Sequence, residues 1–417
     1  MKISSLERFL LKCFLVGSPL WFFGYRVAEY PFSFVLVFFV FLVMLRFRLN
    51  YGFIIGSLLI LYLLIVSLVN QGAVKYSSLM ALSLFFLPLS FNYGFGLKID
   101  EVKKYTLYGV YLSFVVCVLD ALIYYLGFSW VYSSDFILYP EYSAKFSYFR
   151  SRGGFSEPAW YASYLFIVYV FIDMYDTIRG EKDFVNKVIV LILLFFTFSL
   201  VGYFSLFIFI FFSSFLNGRV TEILLKRIVF SLVAGFVLLL LLMVFGEYFV
   251  SPLYSVIDRF NNAYLSFYNI DLNSSEGSRI NAIRELGKYV NNGELLGVLF
   301  GYGYGMIDVY LDDIYGVYLG SRIEYARGDI SNIVVVIFIT FGIIGSIWYY
   351  YYLFLVIKGR VYFRKNIVFV FLVLQVYYFS TGFMLMYLAW YYLYLVIFLY
   401  DSLIYEKSIS SSPSISR

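Results

Sequence analysis

Long apolar runs follow one another along almost the whole chain, and this succession limits the folds that it can adopt. A helix needs roughly 20 apolar residues to cross a bilayer, and about 17 are tolerated. Segments near this length recur twelve times in the 417 residues. We therefore predict an all-α, polytopic integral membrane protein with about twelve transmembrane helices, near residues 10–25, 31–45, 51–69, 77–92, 105–127, 157–174, 187–200, 202–217, 228–246, 330–357, 366–382 and 384–404.

Composition favours this class of protein and excludes several kinds of site. Hydrophobic residues make up 62% of the chain and charged residues 14%, whereas a soluble domain carries about 25% charged residues. Cys13 and Cys117 lie in apolar runs, so neither a disulfide framework nor a metal cluster is indicated. Histidine is absent, which excludes catalysis by Ser-His-Asp or Cys-His groups and a histidine-ligated zinc.

The distribution of Lys and Arg predicts the orientation of the spans. With a cytoplasmic N-terminus, 20 of the 31 basic residues lie inside, and the short external connections contain only Arg26 and Lys75. Cytoplasmic loops carry an excess of Lys and Arg, so both termini are predicted to be cytoplasmic. The basic clusters only flank spans and form no basic soluble domain, so nucleic acid is not expected as a partner.

Two long polar segments then face the periplasm or the cell exterior. Residues 1–246 are predicted to hold transmembrane helices 1–9 with an outer loop at 128–156, and residues 247–329 to form one large outer loop. Residues 330–405 hold helices 10–12, and residues 406–417 form a disordered cytoplasmic tail. A membrane protein with one large polar loop usually has its functional residues in that loop, because the remaining chain packs into helices and anchors the protein in the bilayer.

Two finer predictions concern helix boundaries. The segment 187–217 is interpreted as two short helices with a turn at Val201-Gly202. The large loop is predicted to be partly helical, because apolar residues recur there on one helical face: Ile280, Ile283, Leu286 and Val290.

Arginine is concentrated in the two outer loops. They contain seven Arg and two Lys, at positions 150, 152, 259, 279, 284, 322 and 327 and at 145 and 288. The planar guanidinium binds phosphate oxygens bidentately and loses its hydration more easily than an ammonium group. This bias predicts an anionic ligand at the outer membrane surface. Alternatively, the arginines pair with loop acids, namely Asp258, Glu276, Glu285, Glu324 and Asp329.

Three local patterns add to this prediction. Arg150 to Ala162 reads R-S-R-G-G-F-S-E-P-A-W-Y-A and runs straight into a span. Pro158 suits the first turn of a helix, and Glu157 would lie at the positive end of its dipole. The alternative explanation is a well-capped span whose arginines extend towards the membrane surface.

The second pattern is Ser278-Arg279 followed by the glycine run Gly301, Gly303 and Gly305, whose backbone is predicted to approach a ligand. It lacks the strand and βαβ unit of a dinucleotide fingerprint. The third is Asp329-Ile-Ser331-Asn332, which opens a span containing Gly342 and Gly345. An ordinary helix cap by Asp329 or Ser331 is the alternative there.

In this order the three patterns resemble the Wzy-type O-antigen and exopolysaccharide polymerases, a group in the superfamily that also contains the O-antigen ligases. The first pattern is similar to that family's R-x-x-G-x-F-x-E-P-x-x-x-A element, with Arg150, Gly153, Phe155, Glu157 and Pro158 matching. The ligases have a histidine before the Asn of the third element, where this chain has Ser331. This difference favours the polymerases over the ligases.

The resemblance implies a metal-independent glycosyltransferase without a cofactor, in the bacterial cytoplasmic (inner) membrane. It would join two undecaprenyl-pyrophosphate-linked oligosaccharide repeat units at the outer face, in O-antigen, capsule or exopolysaccharide synthesis. Donor, acceptor and bilayer are its expected partners, together with a chain-length regulator and a flippase. Arg150 and Arg279 are the first candidates for binding pyrophosphate, and Arg152 and Arg327 the second.

The expected catalytic group is a carboxylate that deprotonates or orients the acceptor hydroxyl. Asp329 is favoured over Glu157, because Glu157 is also explained as a helix-start residue. Two other functions stay open: an O-antigen ligase, and a flippase or transporter of lipid-linked oligosaccharides. Asp120, a carboxylate within a predicted span, supports a transporter.

Overall fold

The structure is a computed structural model that describes residues 5–20, 51–70, 97–128, 149–155, 158–199, 295–303 and 333–358, with single positions 202, 203, 205, 206, 209, 287 and 290. The described residues form helices and no strand. Helices α1 to α7 are Ser5–Gly17, Tyr51–Val69, Ile99–Tyr125, Pro158–Arg179, Phe184–Phe196, Leu295–Phe300 and Ile333–Lys358. A 3-10 turn over Ser18–Leu20 follows α1. The all-helical prediction is confirmed for this part of the chain.

Several predicted spans correspond to observed helices. Helix α2 begins and ends where the span at 51–69 was expected, and α4 begins at Pro158, the predicted first helical position. Gly202 is itself helical, and α5 ends in a turn at Thr197 and Phe198, which is earlier than the predicted turn. The spans near 31–45, 77–92, 228–246, 366–382 and 384–404 lie outside the described residues.

The chain divides into two compact units. The first contains Met1–Val43, Gly94–Asp258 and Phe398–Arg417, and therefore α1, α3, α4 and α5. The second contains Met44–Tyr93 and Arg259–Ile397, and therefore α2, α6 and α7.

Helix α3 has large apolar residues on its exposed face, and its buried face combines the aliphatic residues Ile99, Val102, Leu107 and Val110 with small and polar ones. The buried face includes Thr106, Gly109, Ser113, Cys117 and Asp120. The large apolar side chains that are 39% to 66% exposed are Tyr108, Tyr111, Phe114, Val115, Val118, Leu119, Leu122 and Tyr125. This pattern is the reverse of a soluble amphipathic helix. Among the described residues, α3 is the one helix long and apolar enough to cross a membrane.

Ion pairs tie the N-terminal end of α3 to α4 and α5. Lys103 Nζ lies 2.7 Å from Asp183 Oδ2, and Lys187 Nζ lies 2.8 Å from Asp173 Oδ1 and 2.7 Å from Asp176 Oδ2. Asp183 is also the N-cap of α5, because its side chain accepts a hydrogen bond from the Asn186 amide. These charges lie at the end that the sequence predicts to be cytoplasmic.

In the second unit, α7 is interrupted at Gly342, whose φ of 63° and ψ of −174° are not helical. The interruption leaves carbonyl groups without intrahelical donors. Donors from other segments replace them: the Tyr302 and Gly303 amides donate to Ile339 O at 2.9 Å and Thr340 O at 3.0 Å. The Tyr62 hydroxyl lies 2.9 Å from Phe341 O. The break is therefore part of a hydrogen-bonded junction.

Candidate functional site

The segment 149–155, here called the arginine loop, packs in the first unit just before α4. It contains two arginines, and both are buried: Arg150 is 9% exposed and Arg152 is 8% exposed. Arginine is almost never fully buried unless it is paired. The partners of each guanidinium therefore show which role each arginine has in this loop.

Arg152 forms a bidentate ion pair with Asp120 of α3. Its Nη2 lies 2.6 Å from Oδ1 of Asp120, and its Nε lies 3.0 Å from Oδ2. Two parallel charge-assisted hydrogen bonds fix the direction of both side chains as well as their distance. The carboxylate that the sequence offered as support for a transporter therefore has a partner in the arginine loop.

Arg150 lies at the C-terminal end of α5. Its Nε donates to Thr197 O at 3.2 Å and its Nη2 to Phe198 O at 3.0 Å, while the neighbouring Ser151 amide donates to Phe196 O at 3.0 Å. The last carbonyls of a helix lack intrahelical donors and carry a partial negative charge. A guanidinium is well suited to that position, and it is held there by a rigid element.

Further contacts hold the middle of the loop against α3 and α4. Ser151 Oγ lies 2.7 Å from Cys117 Sγ. Gly153 has a φ of 55°, and a Cβ at this position would overlap the Tyr161 ring. The Tyr161 hydroxyl is in turn 2.9 Å from Ser113 Oγ, and the Phe155 ring stacks on the Tyr161 ring with centroids 6.0 Å apart. The loop is therefore fixed on two sides, as a preorganised binding site requires.

The second unit contains the glycine junction, defined as Gly301–Gly303 together with the α7 backbone around Gly342. Gly301 and Gly303 have φ of 82° and 92°. A Cβ on Gly301 would overlap backbone atoms of Thr340 and Gly342, and a Cβ on Gly342 would overlap backbone atoms of Gly301 and Leu299. Only glycine permits this approach of two backbones.

The side chain of Tyr62 in α2 and that of Asn70, the residue after this helix, complete the glycine junction. The Tyr62 hydroxyl is 2.6 Å from Phe300 O, and the Asn70 amide nitrogen is 3.1 Å from Tyr302 O and 3.4 Å from Gly301 O. The Gly-x-Gly pattern thus has a defined structural role, which is to join α6, α7 and α2. Its predicted approach to a ligand is neither supported nor opposed by these contacts.

Of the predicted site residues, the structure describes Arg150, Arg152, Gly301 and Gly303. Arg150 and Arg152 lie in the same loop, and Gly301 and Gly303 lie in the same junction. The others lie outside the described residues: Glu157, Arg279, Gly305, Arg327 and Asp329. Among the described residues, no group of three or more His, Cys, Asp or Glu side chains is placed to hold a metal ion.

Sequence reasoning missed two features of the site. The small residues Gly109, Ser113 and Cys117 recur every four positions on α3, a spacing that indicates close packing of a partner. Cys117 contacts the arginine loop, Ser113 contacts Tyr161 of α4, and Gly109 lies against α1 and Tyr164. Tyr62 and Asn70 had no comparable sequence signal, because one tyrosine among 44 gives no indication of its contacts.

Comparisons with protein-family models, with curated proteins and with solved structures find no match to this chain. Functional conclusions therefore depend on the sequence patterns and on the contacts described above.

Proposed function

We propose that this protein is a polysaccharide polymerase that acts on undecaprenyl-pyrophosphate-linked oligosaccharides at the outer face of a bacterial cytoplasmic membrane. The arginine loop is the observation that supports the proposal most directly. It combines the arginine-containing pattern before Pro158 with a fixed backbone that is attached to α3, α4 and α5. Such a loop fixes two guanidinium groups in one geometry, and a fixed guanidinium is suited to binding a pyrophosphate.

The proposed location in a membrane is supported by α3. Its exposed face contains large apolar side chains, and its buried face contains the Asp120 carboxylate and small residues. Polar groups turned towards protein and apolar groups turned outwards are typical of helices surrounded by lipid. The twelve-span topology with cytoplasmic termini is part of this proposal.

In the proposed reaction, a hydroxyl oxygen of the acceptor repeat unit attacks C1 of the donor sugar. The bond between C1 and the pyrophosphate oxygen breaks, and the lipid pyrophosphate leaves with the bonding electron pair. Arg150 stabilises the charge that develops on the leaving group, an effect that is often the largest single contribution to catalysis. The resemblance assigns Arg279 to the same ligand, with Arg152 and Arg327 as second candidates. It assigns the proton of the acceptor hydroxyl to Asp329 before Glu157.

The test uses purified protein in nanodiscs with the cognate lipid-linked repeat unit and no other enzyme. A ladder of polymer lengths is expected on gels. Arg150→Ala and Arg279→Ala are each expected to lower the rate by about 100-fold or more. Arg150→Lys keeps the charge at the end of α5 but loses the planar fork, so it should also be impaired. Arg179→Ala is the control, because Arg179 pairs with Asp100 at the opposite end of α3.

Three outcomes would contradict the proposal. Unchanged polymer length and yield in both alanine variants, at equal amounts of folded protein, would remove the site assignment. Transfer only to an added lipid A core acceptor would indicate a ligase despite the absence of histidine. Translocation across sealed vesicles without any transfer would indicate a flippase.

A further inference from the structure

The Arg152–Asp120 ion pair connects the arginine loop to a buried position on α3. Asp120 is 9% exposed and Arg152 is 8% exposed. Charges at such depth are tolerated when they are paired and hydrogen-bonded, and the bidentate contact at 2.6 and 3.0 Å meets this condition. Each side chain thus holds the other in a single orientation.

The Arg152–Asp120 ion pair controls the position of Arg150, because the two arginines are close together in the chain. One residue, Ser151, separates the two arginines, and its amide and hydroxyl are bonded to Phe196 O and to Cys117 Sγ. A displacement of Arg152 therefore changes the backbone at Ser151 and moves Arg150 relative to the end of α5. A misplacement of about 1 Å is enough to lower a reaction rate by roughly 100-fold.

We infer that Asp120 is a positioning residue for the arginine loop. Its carboxylate holds Arg152 as the anchor, and the anchored loop holds the Arg150 guanidinium at the end of α5, where it binds the pyrophosphate of the donor. This inference rests on the proposed function for its ligand, whereas the anchoring itself can be tested without any activity.

Stability alone is a poor explanation for such a pair. Removing two charges from water is costly, and replacing a buried pair by apolar residues of similar volume is often neutral or stabilising. The pair instead fixes the orientation of the Arg152 side chain, because two parallel hydrogen bonds fix the plane of its guanidinium. An apolar replacement therefore separates the stability of the packed pair from the orientation that the pair gives to the arginine loop.

The first experiment measures hydrogen–deuterium exchange of the backbone in nanodiscs. Asp120→Asn is expected to accelerate exchange in the peptide covering 149–155 by about tenfold, because the opening of the loop becomes easier. The peptide covering α2 should exchange as in the wild type. Asp100→Asn is the matched control on the same helix, and it should leave the loop unchanged because Asp100 pairs with Arg179. Unchanged loop exchange in Asp120→Asn would overturn the inference.

The second experiment separates positioning from loss of folded protein. At equal amounts of folded protein, Asp120→Asn is expected to raise KM for the lipid-linked donor and to lower kcat/KM by about 10- to 100-fold. Asp120→Glu, which keeps the charge, should recover a large part of that loss. Unchanged KM and kcat/KM at equal amounts of folded protein would show a purely structural role and overturn the inference.

The third experiment is the double variant Asp120→Leu/Arg152→Met, in which apolar packing replaces the ion pair. Its apparent unfolding temperature should recover to near the wild-type value, whereas kcat/KM should stay about 10- to 100-fold lower than in the wild type, because apolar packing does not fix the orientation of the loop. If kcat/KM recovers together with the unfolding temperature, the ion pair contributes only stability and the inference fails. If the wild-type protein forms no polymer, the exchange experiment still decides the anchoring, and only the proposed function is lost.

Discussion

At the scale of single residues, Gly153 determines how closely the arginine loop approaches α4. The glycine lies against the ring of Tyr161, which is fully buried and within hydrogen-bonding distance of Ser113. That ring has no free space into which it can retreat, because its neighbours Phe155 and Tyr164 also stack on it. The position thus requires a residue that has no Cβ and that adopts a positive φ without strain.

We expect Gly153→Ala to destabilise the protein by about 2–4 kcal/mol, from the unfavourable φ and from the overlap with Tyr161. Gly180→Ala is the matched control. Gly180 has a φ of 70° but no atom lies within 4 Å of its hypothetical Cβ, so only the backbone cost of about 1 kcal/mol applies. The stabilities of both variants are measured by thermal unfolding in detergent, with size-exclusion chromatography to monitor the folded fraction. Equal losses in the two variants would show that the Tyr161 contact has no effect.

At the scale of helices, the ion pair between Asp183 and Lys103 attaches the start of α5 to α3. Burial alone would raise the pKa of Asp183, but hydrogen bonds and charge from Lys103, together with hydrogen bonds from Asn186, outweigh burial and lower this pKa below its usual value of 3.8. A carboxyl whose pKa is lower in the folded state contributes stability above its unfolded pKa. This contribution is lost as the pH falls through the folded pKa.

Asp183→Asn is therefore expected to be less stable than the wild type at pH 7, although asparagine still caps α5. The difference in unfolding temperature should shrink as the pH falls from about 4 towards the lower folded pKa, because the wild type then loses the same charge. Glu181→Gln, a substitution of an exposed acid nearby, should follow the wild-type pH profile. A difference between Asp183→Asn and wild type that stays constant down to pH 3 would contradict this account.

Helix positions were largely predictable from the sequence, whereas the interruption of α7 was not. Apolar runs with flanking Lys, Arg, Pro and Gly predict where α2 and α4 begin, because length and capping are local properties. The break at Gly342 depends on amide donors from Tyr302 and Gly303, which are distant in the chain. The same limit applies to the site: arginine enrichment predicted an anionic ligand, but the pairing of Arg152 with Asp120 is a tertiary contact that no local pattern contains.

At the scale of the whole molecule, the exposed apolar face of α3 allows a test of the proposed membrane location. Val115 lies near the middle of α3 and is 51% exposed. In contact with lipid, Val115→Arg should cost about 2.5–3.5 kcal/mol and reduce the amount of protein recovered from the membrane. On a soluble surface the same substitution would change stability by about 0.5 kcal/mol or less.

Val185→Arg is the control for this substitution. Val185 is 67% exposed but lies in the first turn of α5, beside the charged residues of the predicted cytoplasmic end. We expect it to be tolerated, with membrane recovery close to the wild type. Equal recovery of both variants would remove the main structural support for a transmembrane α3.

The glycine junction also has a mechanical consequence. Two amides of the glycine run are bonded to carbonyls in the middle of α7, and the backbones touch without intervening side chains. The segment 301–303 therefore cannot swing independently of this helix, since any such motion must first break those bonds. The segment 301–303 and the α7 residues just before Gly342 should therefore move together, and a bend of α7 would be located at Gly342, the one described point where this helix is not helical.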